Sequence, residues 1–422
     1  MFQHLKYGET ISALVKEIEA QIAPIHRAID ARIDYNQYRV LQSFRRHQVS
    51  DAHFIPSTGY GYDDIGRDTL EKVYADVFGG EAALVRPQII SGTHAITIAL
   101  FGILRPGDEL LYITGKPYDT LEEIVGIRGS GIGSLREFQI GYNSVPLTSE
   151  GKIDFAAVEQ AINERTKMIG IQRSKGYDPR PSFTIAEIKE MIDFVKAIKP
   201  DVVVFVDNCY GEFVEEQEPC HVGADVIAGS LIKNPGGGLA KTGGYLVGKR
   251  EYINMCAYRL TSPGIGAEAG ASLYSLHEMY QGFFLAPHVV GQALKGAVFT
   301  AAMLERIGMN TYPTWNAART DLIQSVQFDD PEQMIAFCQA IQFASPVNSH
   351  FTPYPNYMPG YEDDVIMAAG TFVQGASIEL TADGPIRPPY VAYVQGGLTY
   401  SHVKIAVCTA IDQLIEKQLI SL

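Results

Sequence analysis

The feature that most limits the fold of this chain is a series of apolar segments that alternate with helical patterns. DVVVFVDNCYGEF follows the helical stretch AEIKEMIDFVKAIKP, ADVIAGSLIK comes next, and ELLYITG and TKMIGIQRS lie upstream. Near-continuous runs of Val, Ile, Leu and Phe belong to strands covered on both faces, and alternation with helices makes such a sheet mostly parallel. IISGTHAITIALFGIL reads as a strand end, a tight turn and a helix, and another helix begins near Asp68 and runs to Phe78. The pattern predicts an α/β fold with a mostly parallel central sheet, helices on both faces and a smaller C-terminal α+β domain.

The ends of the chain are read the same way. Ile11, Leu14, Val15, Ile18, Ile22 and Ile25 recur with a helical period, which predicts a helical arm over residues 1–50. The large domain is then 51–285 and the small one 286–422. A long helical region covers about 268–307, with Pro287 marking a break or a helix start. Short strands and two helices, near 330–341 and 400–417, complete the C-terminal part.

Charge and composition narrow the classes of function. With 422 residues and a formal net charge of −14, the chain lacks the basic excess of a general nucleic-acid binder. No apolar run reaches the roughly 18 to 20 residues of a membrane span, and the charged N-terminal stretch has no apolar centre of the signal-peptide kind. A cytoplasmic location is expected. Five dispersed cysteines, with no CxxC pair, fit neither a disulfide frame nor a zinc site. No metal-ligand cluster is visible, so no metal is expected.

Three places carry chemistry. Asp207 closes an apolar strand, where open α/β sheets bind ligands, and a buried carboxylate there calls for a cation. The alternatives are a turn cap or a structural arginine partner. Lys233 follows an apolar stretch and precedes Pro-Gly-Gly-Gly; a desolvated lysine forms a Schiff base with a carbonyl, or else packs its stem with its head in water. Ser91, Gly92 and Thr93 open a helix whose free N–H groups suit a phosphate, although Ser and Thr also cap helices that bind nothing. Together, an anion clamp, a carboxylate and an aldehyde-binding lysine are what pyridoxal 5′-phosphate (PLP) requires.

ISGTHAI, VFVDNCYGEF and GSLIKNPGGG resemble the cystathionine/methionine lyase group of fold-type I PLP enzymes (the PLP-dependent transferase-like fold). Within that group the chain is similar to the aluminium-resistance or methionine γ-lyase-like branch. The likeness runs from about Gly59 to Lys249 and resumes at ADGPIRPPYVAYVQGGLTY. It implies that Lys233 holds PLP and moves protons at Cα, and that Asp207 meets the pyridine nitrogen. Ser230 would join Gly92 and Thr93 on the phosphate, and Tyr118 would stack on the cofactor. GYGYDDIGRDTLE resembles a segment that enters a neighbouring subunit's site, with Tyr60, Tyr62 and Arg67 as its candidates. A homo-oligomer, dimer or tetramer, with shared active sites follows from that resemblance.

A substrate carboxylate calls for a bidentate arginine; Arg387 in GPIRPPY is the first choice and Arg173 the reserve. The chain departs from the familiar lyases at IQRSKGYDPRP, where the usual asparagine is missing and Gln172 or Ser174 takes its place. The expected reaction is β- or γ-elimination from a sulfur amino acid such as methionine, cystathionine or cysteine, releasing a 2-oxo acid and ammonia. Other amino-acid chemistry, such as γ-replacement or aldol cleavage, uses the same first steps. A PLP-binding stress-response protein with little turnover is a further alternative. A nicotinamide enzyme is disfavoured, because neither NPGGGLAKTGG nor SGTHA matches GxGxxG or GxxxxGK[ST].

Overall fold

The computed structural model describes residues 2–3, 5–358 and 361–421. The chain divides into two compact units, one of residues 36–285 and one of residues 1–35 with 286–422. Helix α1 (Gly8–Arg46) opens the chain and contributes to both.

In the first unit, α2 (Ile65–Phe78) leads to β1 (Ala82–Arg86), α3 (Gly92–Ile103) and β2 (Glu109–Tyr112). Next come α4 (Asp119–Val125), β3 (Gly141–Ser144), α5 (Phe155–Ala161), β4 (Thr166–Gln172), α6 (Ile185–Ile198) and β5 (Val203–Asp207). Then β6 (Val226–Ser230), β7 (Gly244–Gly248), α7 (Arg250–Leu260) and the start of α8 (Leu276–Arg306) complete it. The strands form one sheet in the order β1-β7-β6-β5-β4-β2-β3. Strands β2 to β6 pair in parallel, and β7 is antiparallel to both β6 and β1.

Burial explains the strand composition. Val203, Val204, Phe205, Val206, Val226, Ile227 and Ala228 are all fully buried, as expected for central strands covered on both faces. The helices are set by local chemistry. Asp64 accepts the Arg67 N–H at the start of α2, Ser91 accepts the His94 N–H at the start of α3, and Thr184 and Glu187 form a reciprocal capping box on α6.

Two local expectations are corrected. The strand upstream of the SGTHAI turn ends at Arg86, so Ile89 and Ile90 belong to the connection and not to a strand. Ile89 is buried there without pairing, which is why an apolar doublet imitated a strand end. Pro287 neither breaks nor starts a helix but lies inside α8, because the loss of one N–H leaves the rest of a 31-residue ladder intact.

The second unit carries β8 (Asn310–Tyr312), β9 (Gln324–Gln327), α9 (Pro331–Phe343), β10 (Val365–Ala368), β11 (Thr381–Pro385), β12 (Val391–Gln395) and α10 (Tyr400–Glu416). Its sheet, β10-β11-β12-β9-β8, is antiparallel throughout. Among the described residues no helix is long and apolar enough to cross a membrane.

Candidate active site

Three parallel neighbours, β4, β5 and β6, end on the same edge of the sheet. Their last residues are Gln172, Asp207 and Ser230, and Gln172 is the direct register partner of Asp207. The sequence folds this way because each apolar run stops at a polar residue, and the polar ends then collect where parallel strands meet ligands.

Asp207 is 5% exposed, and its Oδ1 accepts the Cys209 N–H at 3.1 Å. Burial pushes its carboxyl above the usual aspartate value against the opposing pull of Lys233 and the Cys209 N–H. A carboxylate so placed is stabilised by any further cation brought to it. Burial likewise drives the Cys209 thiol well up, with Asp207 adding to the effect, so Cys209 is not a ready thiolate.

Lys233 sits just beyond β6, half-buried, with Nζ 4.0 Å from the centre of the Tyr210 ring. Burial depresses its amine, and the nearby Asp207 carboxylate pulls the other way by favouring the ammonium. The turn that follows admits no side chain at Gly236, where a Cβ would lie 1.7 Å from the Leu231 carbonyl oxygen. That requirement explains the glycine run after the lysine.

Helix α3 presents its N-terminus beside these groups. A Cβ added at Gly92 would lie 3.2 Å from Cys209 Sγ and 3.4 Å from Ser230 Cβ, so the helix start, the β5 turn and the end of β6 close on one spot. Ser91 is the N-cap of α3, which leaves its O–H proton available to an acceptor. The Thr93 hydroxyl and the Tyr118 phenol lie 2.7 Å apart. Tyr118, at the start of α4, donates its N–H to Gln172 Oε1 at 2.9 Å, and Gln172 Nε2 donates to the Ser174 carbonyl at 2.9 Å. Burial, reinforced by Asp207, raises the Tyr118 phenol and keeps its proton on.

This donor set suits PLP. A phosphate meets free N–H groups at a helix start and nearby hydroxyls, a protonated ring nitrogen meets a buried carboxylate, and an aldehyde meets a lysine in the same unit.

The remaining candidates are held by partners of their own. Arg173 is fully buried and bound to Glu215 at 3.0 Å, Glu218 at 3.4 Å and Asn208 at 2.8 Å. Tyr60 and Tyr62 are exposed on a loop and stack on each other at 5.3 Å. Arg67 is buried behind them, donating to Asp68 and to the carbonyls of Gly61 and Gly270 in its own chain. Arg387 lies in the second unit, between β11 and β12, paired with Asp363 at 3.1 Å.

Sequence reasoning passed over Tyr210 and Glu212, which share the VDNCYGEF motif with Asp207. Glu212 is fully buried, its Oε1 accepts the Tyr245 hydroxyl at 2.8 Å, and its Oε2 has no partner. Burial pushes its carboxyl up to about 8, with Glu218 reinforcing the shift. The signal for both was their position directly after the strand's terminal carboxylate.

The sheet and the second antiparallel unit have the fold-type I architecture, which the pyridoxal-5′-phosphate dependent protein YhfS from Escherichia coli shares at 18% identity with a TM-score of 0.62. The methionine gamma-lyase family model matches residues 11–415, and the chain belongs to that family. The uncharacterized protein YnbB of Bacillus subtilis (strain 168) is 75% identical over 421 residues, covering 100% of both chains. A solved structure from Bacillus cereus is 80% identical with a TM-score of 0.94, covering 96% of this chain and 100% of that one. A carbon-sulfur lyase involved in aluminum resistance from Clostridium novyi NT is 47% identical with a TM-score of 0.92, covering 96% of each. The family is one of PLP-dependent carbon–sulfur lyases, and PLP is the cofactor it implies.

Proposed function

We propose that this protein is a PLP-dependent lyase that eliminates the sulfur substituent from an amino acid such as methionine, cystathionine or cysteine. The observation that carries this reading is the meeting of Lys233, Asp207, Tyr118 and the start of α3 at the ends of adjacent parallel strands.

Lys233 holds the cofactor, Asp207 fixes its ring nitrogen, and Ser91, Gly92, Thr93 and Ser230 hold its phosphate. Bound there, PLP supplies an electron sink that stabilises negative charge at the substrate Cα. The Lys233 amine, once free, removes the Cα proton. Tyr118 keeps its phenolic proton and delivers it to the departing sulfur as a general acid. Gln172 holds the Tyr118 backbone at the angle this requires. Arg387 binds the substrate carboxylate. Tyr60 and Tyr62 complete the phosphate site of a second copy in a homodimer or homotetramer, on a loop that Arg67, buried in its own chain, braces through the Gly61 carbonyl. With one water consumed in hydrolysing the released enamine, the products are a thiol, a 2-oxo acid and ammonia.

The test is direct. Purified protein supplied with PLP is incubated with L-methionine, L-cystathionine and L-cysteine, and 2-oxo acid and thiol are measured together. Equal release of both from at least one of them, absent in Lys233→Ala, is expected. Release of neither from any sulfur amino acid would overturn the reading.

A further inference from the structure

The turn after Asp207 contains two side-chain-bearing residues in left-handed backbone, Tyr210 at φ 71° and Phe213 at φ 63°. Bulky residues are disfavoured there because Cβ crowds the following carbonyl, and they persist only where their surroundings over-determine them.

Those surroundings are present. Gly211 N–H closes the turn on the Asn208 carbonyl at 3.0 Å. Asn208 accepts from Arg173 Nη1 at 2.8 Å and donates to Glu218 Oε2 at 2.9 Å, while Glu218 Oε1 accepts the Phe213 N–H at 2.8 Å. Asn36 Nδ2 donates to the Phe213 carbonyl at 3.0 Å. A Cβ at Gly211 would lie 2.6 Å from Arg173 Cδ, so the turn rests directly on the arginine stem. A fully buried ionic network thus clamps a turn that the local backbone disfavours.

The clamped turn aims the Tyr210 ring, whose centre lies 4.0 Å from Lys233 Nζ. We propose that Tyr210 is a positioning residue for Lys233: its ring face receives the amine whenever that amine is free, and the Arg173–Asn208–Glu218 network holds the turn that presents it. This rests on the reading of Lys233 as the cofactor lysine. Such a lysine must alternate between a covalent bond and a free head on a flexible four-carbon stem. An aromatic face attracts the ammonium without offering an acceptor that would trap its proton.

The other groups facing Lys233 are Asp207 and Cys209 at the end of β5, Glu212 in the same turn and Tyr118 at the start of α4. The test must therefore isolate the ring and leave those groups in place. In full-length, cofactor-free protein, the pH dependence of reductive methylation at Lys233 is read from the mass of its peptide. Tyr210→Phe, which keeps the ring, should leave the midpoint unchanged. Tyr210→Leu should lower it by about half to one and a half pH units, the loss of a partly desolvated cation–π contact. Tyr210→Gly should lower it equally while melting at a higher temperature than Tyr210→Leu, because glycine relaxes the left-handed backbone. If Tyr210→Leu does not fold, the Gly variant carries the comparison. An unmoved midpoint in the variants without the ring, or a Phe variant that shifts like Leu, would overturn the proposal. Attachment of PLP to a different lysine would overturn the underlying reading instead, and the borohydride-fixed peptide distinguishes the two.

Discussion

The Tyr118 phenol and the Thr93 hydroxyl lie 2.7 Å apart, tying the ring at the start of α4 to the first turn of α3. At its other end Tyr118 is held through its N–H by Gln172 Oε1. A ring fixed at both ends is already oriented before any ligand arrives. At saturating PLP, Tyr118→Phe is expected to lower kcat by about 10²- to 10³-fold through loss of the acid. Thr93→Val should lower it less, and the double variant should match Tyr118→Phe within about twofold, because both changes remove one bond. Multiplying effects in a steady-state double-mutant cycle would contradict the coupling.

The two candidate arginines should separate by the quantity they change. Arg173 is enclosed by Glu215, Glu218 and Asn208, so Arg173→Ala should destabilise the protein by about 3–5 kcal/mol through the buried Glu218 carboxylate it leaves. Arg387 is partly exposed with Asp363, and Arg387→Ala should leave the melting temperature nearly unchanged while raising KM by about 10- to 100-fold. Denaturant unfolding and substrate titration on both variants check this. A stable Arg173→Ala with raised KM would reverse the assignment.

Glu212 gives stability a pH dependence of known sign. In the unfolded chain a glutamate titrates near 4.5, whereas burial pushes folded Glu212 up to about 8. Between those values the folded state keeps a proton that the unfolded state has lost. Its contribution is therefore complete below about 4.5 and declines as pH rises toward 8, by up to about 1.4 kcal/mol per pH unit. Glu212→Gln keeps the neutral shape and should flatten the melting temperature across that window. A variant that retains the full slope would assign the titration to another group.

Gly92→Ala tests the closeness of α3 to its neighbours. The new methyl would sit 3.2 Å from Cys209 Sγ and 3.4 Å from Ser230 Cβ, tight contacts at the spot assigned to phosphate. Fluorescence titration should show PLP affinity weakened by about 10- to 100-fold, the loss of one or two charge-assisted hydrogen bonds. Unchanged Kd would place the phosphate elsewhere.

Much of the sheet was legible because burial on both faces writes itself into sequence as unbroken apolar runs; β4, β5 and β6 are of this kind. The short outer strand β3, with its polar GYNS, carries no such run and was missed. Nor does sequence show that β7 turns antiparallel, since direction depends on the connection and not on composition. Lys233, Asp207 and the α3 turn were visible because glycine, lysine and aspartate are out of place beside apolar strands. Tyr210 was not, because a left-handed tyrosine is imposed by Arg173, Asn208 and Glu218, which are dispersed in sequence and meet only after folding. Arg173 stood out as a cation, but nothing local revealed the two carboxylates that enclose it.

The central claim is that Lys233 holds the cofactor. Full-length protein saturated with PLP is reduced with borohydride, digested, and its peptides are weighed. The account predicts a single pyridoxyl-modified lysine, Lys233, with visible absorbance lost on reduction and no label in Lys233→Ala. Modification of another lysine, or no retained cofactor mass at all, would contradict it.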